Sequence, residues 1–280
     1  MDRSEILDCL QKTFPIIGFT PDEVDDLFKA ISLMNPGGSL YREREKKAYE
    51  AIHFSGHVVK SVNKLSRKRE AALLDCGCGR SYVPFIVNHI LKKQGRSMTY
   101  IGVDINENLI ERSKRVRDQL GYNEMLFFQS SIIDFDPKMK VEIVCALHAC
   151  NTATDEAIAK GVRLGARYVI VVPCCQRQIV GQLSRASKKI QPMKPLLEEK
   201  VVKDYVGIAL TETLRKLALE SFGYDVEIFE FTPTRYTPKN IMLRAEKKKQ
   251  WNDKSFKAYQ SLREYFDVKP KIEEFLVQLT

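Results

Sequence analysis

The sequence of 280 residues contains no apolar run approaching the roughly 18–20 residues that cross a membrane as a helix. The longest such run, around Ala166–Val172, is the length of a strand. Met1–Leu10 is acidic and lacks the basic-then-apolar order of a secretory signal, so a cytoplasmic protein without membrane attachment is expected. The seven cysteines form no paired CxxC module and no spacing of a disulfide framework, which leaves reduced thiols and no metal as the expectation. No internal repeat is present, and neither sign of charge dominates. The 45 Lys+Arg against 36 Asp+Glu leave +9, compatible with a nucleic-acid partner or with an ordinary solvated surface. What is abundant is core-forming material. A hydrophobic content of 44% excludes wholesale disorder, and the length suits one large domain with an appendage.

From Ala71 onward short apolar runs alternate with helical patterns. Strands are expected at Ala71–Asp75, Tyr100–Asp104, Met125–Gln129, Val141–Leu147 and Tyr168–Val172, with two more at Val226–Phe231 and Asn240–Ala245. Tyr82–Lys93 shows a one-faced apolar pattern with Pro84 in its first turn. Asn106 opens a further helix that Gly121 stops, and Thr211–Phe222 is a third, stopped by Gly223. Gln176–Asp204 is polar and lysine-rich and reads as an insertion or lid rather than core. Thr20-Pro-Asp-Glu23 marks a helix start in the first 65 residues. The expected organisation is an N-terminal helical segment (1–65), an α/β domain (66–248) and a C-terminal helical tail (249–280). Its sheet is doubly wound and Rossmann-like, with seven strands of which the last is antiparallel.

The sharpest motif is Asp75-Cys-Gly77-Cys-Gly79 at the end of the first strand. Glycines there let the backbone turn tightly and approach a ligand without a Cβ in the way. Asp104 ends the second strand, where an acid accepts hydrogen bonds from ribose hydroxyls, and Ile105 follows it. A nicotinamide or flavin site would carry a third glycine where Tyr82 stands. An acid before the glycines suits a ligand with an ammonium and a sulfonium better than one with two phosphates. S-adenosylmethionine (SAM) meets both conditions, and Asp75, Gly77, Gly79, Asp104 and Ile105 are its candidate ligands. Ser131 and Ile132, after the third strand, are candidates for the adenine side; Asp134 and Asp136 follow as surface carboxylates.

The carboxyl ends of the fourth and fifth strands carry Ala146-Leu-His148-Ala-Cys150-Asn-Thr152-Ala-Thr-Asp155 and Pro173-Cys174-Cys175-Gln176, on the edge where ligands of doubly wound sheets bind. With Thr237-Pro-Lys239-Asn240 before the last strand, these segments resemble a group of class I SAM-dependent methyltransferases that includes the tRNA acceptor-stem 2′-O-methyltransferases. They are closer still to relatives marked by His-Ala-Cys, Pro-Cys-Cys-Gln and Thr-Pro-Lys-Asn. The resemblance spans residues 40–248, with Asn151 where an acid or glycine is expected and no counterpart of the zinc-finger modules of the tRNA enzymes.

The resemblance implies SAM as cofactor and RNA, tRNA foremost, as acceptor. The alternatives are a small-molecule methyltransferase and a non-catalytic SAM- or RNA-binding protein. His148 is the candidate base for an oxygen or nitrogen nucleophile and also borders the cofactor. Asp155 would orient it or cap the following helix. Cys150, Cys174 and Cys175 read as thiolate nucleophiles of cytosine C5 methylation, as a zinc set with His148, or as packing residues. Tyr41, Arg42, Gln176, Lys239 and Asn240 are candidate substrate contacts. The run Tyr41–Lys47 is either a basic helix over the cofactor mouth or a helix face with internal ion pairs.

Overall fold

A computed structural model of the chain describes residues 3–67, 71–149, 152–174, 177–186 and 193–277. The leading helices are α1 (Arg3–Thr13), α2 (Pro21–Ala30) and α3 (Glu45–Asn63), the last entered through a 3-10 turn, Arg42–Arg44. Then follow β1 (Ala72–Cys76), α4 (Tyr82–Lys93), β2 (Thr99–Asp104), α5 (Glu107–Leu120), β3 (Met125–Gln129) and β4 (Val141–Leu147). The remainder comprises α6 (Ala153–Arg163), β5 (Tyr168–Val172), α7 (Arg177–Ala186), α8 (Lys194–Glu198), α9 (Lys200–Ser221), β6 (Tyr224–Glu230), β7 (Ile241–Lys247), α10 (Asp253–Tyr265) and α11 (Ile272–Phe275). The seven strands run in the order β3-β2-β1-β4-β5-β7-β6. β1 pairs in parallel with β2 and β4, and β2 with β3, whereas β7 is antiparallel to β5. The sheet therefore has the doubly wound order and reversed last strand that the pattern of runs predicts. β1 and β5 are buried along their whole length, which is why they read as unbroken apolar stretches instead of alternating ones.

The chain divides into two compact units, Met1–Leu147 with Glu230–Asn240, and His148–Phe229 with Ile241–Thr280. In the first, Thr20 and Glu23 form the reciprocal capping box that starts α2. Asn106 accepts the Leu109 N–H at the head of α5, and Gly121 ends that helix at φ 66. Gly102, at the middle of β2, is there for lack of space: a Cβ would lie 2.6 Å from the Phe127 ring and 3.0 Å from Cys78 Sγ.

In the second unit the expected lid differs from the observed structure. Helix α9 begins at Lys200, ahead of the predicted Thr211, and Leu197 just before it is buried. In α7, Ile179 and Leu183 lie four residues apart and are 2% and 0% exposed. One apolar residue per turn suffices to seat a helix whose other faces are polar, so composition alone misreads such a stretch as surface.

Candidate active site

Because β1 to β4 are mutually parallel, their carboxyl ends share one edge of the sheet. There β1 runs into a loop in which Gly77, Gly79 and Ser81 take left-handed φ values of 67, 54 and 57°. The loop is pinned to β2. Cys78 N–H donates to the Val103 carbonyl at 3.0 Å, and Gly79 N–H donates to Asp104 Oδ2 at 2.8 Å. Asn106 N–H donates to Asp104 Oδ1 at 2.9 Å, so both carboxylate oxygens are oriented by backbone amides while retaining lone pairs for a ligand. A Cβ on Gly79 would meet nothing within 4 Å, so open space adjoins the loop at that point. Beside Asp104, Ile105 is 74% exposed, an apolar side chain left in water at the mouth of the loop. Gln129 Nε2 donates to the Ile105 carbonyl at 3.4 Å.

Asp75 is 4% exposed. Burial, with a contribution from the Asp104 charge, pushes its carboxyl up to about 7, against a hydrogen bond from the Cys145 thiol. The Sγ–Oδ1 distance is 3.7 Å. Burial, with the nearby Asp75 charge, holds the Cys78 and Cys145 thiols well above the usual range, so these cysteines are protonated packing groups. A cation placed against Asp75 would restore its ionised form.

After β3, Ser131 Oγ donates to Asp134 Oδ2 at 2.6 Å and accepts the Asp134 N–H at 3.1 Å. An acid thus stands where the sequence pattern placed a hydroxyl alone. Ile132 is buried. The signal was available in the three-residue spacing of Ser131 and Asp134, which closes a side-chain turn.

His148 directly follows β4 and is half-buried, at φ 58. Its N–H donates to the Val172 carbonyl at 3.1 Å, and its own carbonyl accepts the Cys174 thiol, with Sγ at 3.8 Å. Cys174 is 7% exposed. Cys150, Cys175 and Gln176 lie outside the described residues, and with them half of the candidate zinc set.

Two candidates have different duties from those expected. Asp155 neither caps α6 nor reaches toward a base: Arg215 Nε and Nη2 bind its two oxygens at 2.8 and 3.1 Å, and Arg215 Nη1 binds Glu212 at 3.0 Å. All three are buried, an arrangement that commits the Asp155 carboxylate to an ion pair. Asn240 is 3% exposed and donates from Nδ2 to the Thr232 carbonyl at 3.0 Å, while Phe231 N–H donates to the Asn240 carbonyl at 2.9 Å. It clips the base of the 232–239 loop, which its burial removes from substrate contact. Lys239 stays exposed on that loop.

Comparison with known proteins agrees with this geometry. A family model described as a methyltransferase domain matches residues 46–182. Residues 46–182 are thus similar to that family. The sheet has the strand order and reversed last strand of the class I SAM-dependent methyltransferase fold. Among curated proteins the chain is 25% identical over 191 residues to the human glutathione S-transferase C-terminal domain-containing protein, covering 61% of this chain and 29% of that one. It is 28% identical over 160 residues to the Drosophila melanogaster homolog, covering 49% and 27%. The chain thus spans less than a third of the length of these relatives. Solved structures similar to it include magnesium protoporphyrin IX methyltransferase from Synechocystis PCC 6803 with bound SAM, at TM-score 0.49 and 14% identity, covering 81% and 96% of the two chains. An rRNA methylase from Streptococcus thermophilus has TM-score 0.41 and 14% identity, covering 71% and 97%.

The residues at this edge of the sheet fit SAM. The open space at Gly79 would admit it without a Cβ, Asp104 would take ribose hydroxyls, and Ile105 would offer an apolar face to a purine. Asp75 would supply a buried carboxylate for an ammonium. When bound, SAM supplies an electrophilic methyl group on a sulfonium.

Proposed function

We propose that this methyltransferase methylates an oxygen or nitrogen of a small-molecule acceptor, with His148 as the base. The observation that carries the choice of acceptor is the pairing of its basic runs. Lys47 binds Glu50 at 2.8 Å; Lys114 binds Glu111 at 2.7 Å; Arg117 binds Asp118 at 2.8 Å; Lys248 binds Glu246 at 2.7 Å. These four cations of the basic runs are thereby neutralised locally instead of joining a bare phosphate-binding stripe. The choice of oxygen or nitrogen over cytosine C5 is supported by the buried state of Cys174, whose thiol is engaged by a backbone carbonyl. RNA, and tRNA in particular, is the competing reading, favoured by the net charge of +9.

Isotope-labelled SAM offered to separate pools of tRNA, rRNA and small metabolites decides between them. Label in a metabolite, carried on oxygen or nitrogen, is the expected result. Label in a tRNA or rRNA nucleoside overturns the small-molecule reading, and 5-methylcytidine overturns the role of His148 as well.

A further inference from the structure

We propose that Arg44, Arg80, Arg112 and Arg115 form an oxyanion-binding subsite beside the glycine loop, and that it holds a phosphate or carboxylate carried by the acceptor. The assignment of that anion to a small acceptor rests on the function proposed above; the subsite itself does not.

Arg44 and Arg112 converge on one turn from distant parts of the chain, and the charges of Arg80 and Arg115 act on Arg112. Arg112, on α5, donates from Nη2 to the Ile31 carbonyl at 2.6 Å and to Ser32 Oγ at 3.0 Å, and from Nη1 to the Arg80 carbonyl at 3.3 Å. Arg44 donates from Nη1 to the Ser32 carbonyl, and its guanidinium lies over the Tyr41 ring, 4.5 Å from the centroid. Ser32, where the two guanidinia converge, sits at φ 58, a left-handed turn that presents both its carbonyl and its hydroxyl to them. Arg115 lies three residues beyond Arg112, on the same face of α5. Arg80 follows Gly79, whose amide holds Asp104, so the cluster adjoins the cofactor loop.

These contacts orient the guanidinia without neutralising them, because every partner named is a carbonyl or a hydroxyl. Among the described residues no carboxylate lies at ion-pair distance from Arg80, Arg112 or Arg115, and the carboxylate beside Arg44 is the exposed Glu43 at 3.8 Å. The same chain treats its structural arginine differently: buried Arg215 has two carboxylates. Burial, together with the charges of Arg80, Arg44 and Arg115, holds Arg112 below the usual guanidinium range, which is the sign of positive charge lacking a counterion. A planar fork with unused N–H donors recognises phosphate or carboxylate in bidentate fashion. An acceptor anchored there would be held next to the methyl donor, where orientation contributes directly to rate.

The test is calorimetric titration of the full chain, with and without SAM, using inorganic pyrophosphate as the probe. It is repeated for Arg44→Gln and for Arg115→Gln, whose exposed side chain makes none of the anchoring bonds of Arg112. Each variant is expected to weaken pyrophosphate binding about tenfold, while SAM affinity stays within about twofold of wild type. Labelled product from the metabolite pool should be retained by an anion exchanger at neutral pH. No pyrophosphate binding to wild type overturns the proposal, as does binding that both variants leave unchanged. Loss of SAM affinity in place of pyrophosphate affinity also overturns it, by assigning the arginines to the cofactor. A labelled product that passes the exchanger removes the acceptor's anion. Label in RNA alone, with pyrophosphate binding still sensitive to both variants, leaves the subsite standing and defeats only the small-molecule reading.

Discussion

Replacing Asp75 by asparagine tests whether the buried carboxylate is the cation receptor of the cofactor site. Burial raises this carboxyl from 3.8 to about 7. At about 1.4 kcal/mol for each tenfold change in proton affinity, ionised Asp75 costs the free protein roughly 4 kcal/mol. The folded group binds its proton more tightly than the unfolded one. Its contribution to stability is therefore fully present below about pH 4 and lost as pH rises through 7. A ligand ammonium reverses the preference by favouring the carboxylate. SAM binding should then release a proton below pH 7, and affinity should rise toward tenfold per pH unit between pH 5.5 and 7 before levelling. Calorimetric titration at pH 5.5, 6.5 and 7.5, in buffers of different ionisation heat, reads affinity and proton release together. Asp75→Asn should flatten the pH dependence, weaken binding at pH 7.5 and stabilise the free protein there. A SAM affinity independent of pH over this range, with the variant binding like wild type, would refute the assignment.

Three further outcomes are expected. Arg215→Leu strands Asp155 and Glu212 as buried charges, which costs about 3–5 kcal/mol and lowers Tm by on the order of 10 °C in thermal unfolding; an unchanged Tm removes the structural reading of Asp155. Gly102→Ala drives a methyl group into Phe127 and Cys78 and should cost about 1–3 kcal/mol, with weaker SAM binding because Cys78 belongs to the cofactor loop; both readouts at wild-type values sink that account. His148→Asn keeps a residue tolerant of φ 58 and should reduce methyl transfer by about 10²–10⁴-fold with SAM affinity nearly unchanged; equal rates would eliminate His148 as the base.

The sheet was legible because its strands announce themselves locally. Met125–Gln129, Val141–Leu147 and Tyr168–Val172 begin and end where their apolar runs do, and Asn106 and Gly121 bracket α5 by cap chemistry alone. The turn after β1 was legible for the same reason, since Gly77 and Gly79 occupy left-handed positions that glycine favours. Segments anchored by sparse apolar residues were not. α7 and α8 are seated by Ile179, Leu183 and Leu197 within polar sequence, and no local pattern separates such a stretch from a surface insertion.

Charged residues carry the least local information, because their role depends on partners distant in the chain. Asp155 stands in a segment that reads equally as a helix cap and as part of a catalytic motif. Its partner Arg215 lies 60 residues on and settles the matter. Asn240 likewise looks available until its side chain meets Thr232 across a loop. The basic runs follow the same logic in opposite directions. Lys47, Lys114 and Arg117 find acids within four residues and lose their value as anion receptors. Arg112, in the same run as Lys114 and Arg117, instead reaches carbonyls 32 and 81 residues away and keeps its charge. A net charge of +9 says nothing of this division. What distinguishes a receptor from a solvated surface is whether folding brings a carboxylate to each cation. At the glycine loop after β1, folding brings further arginines instead.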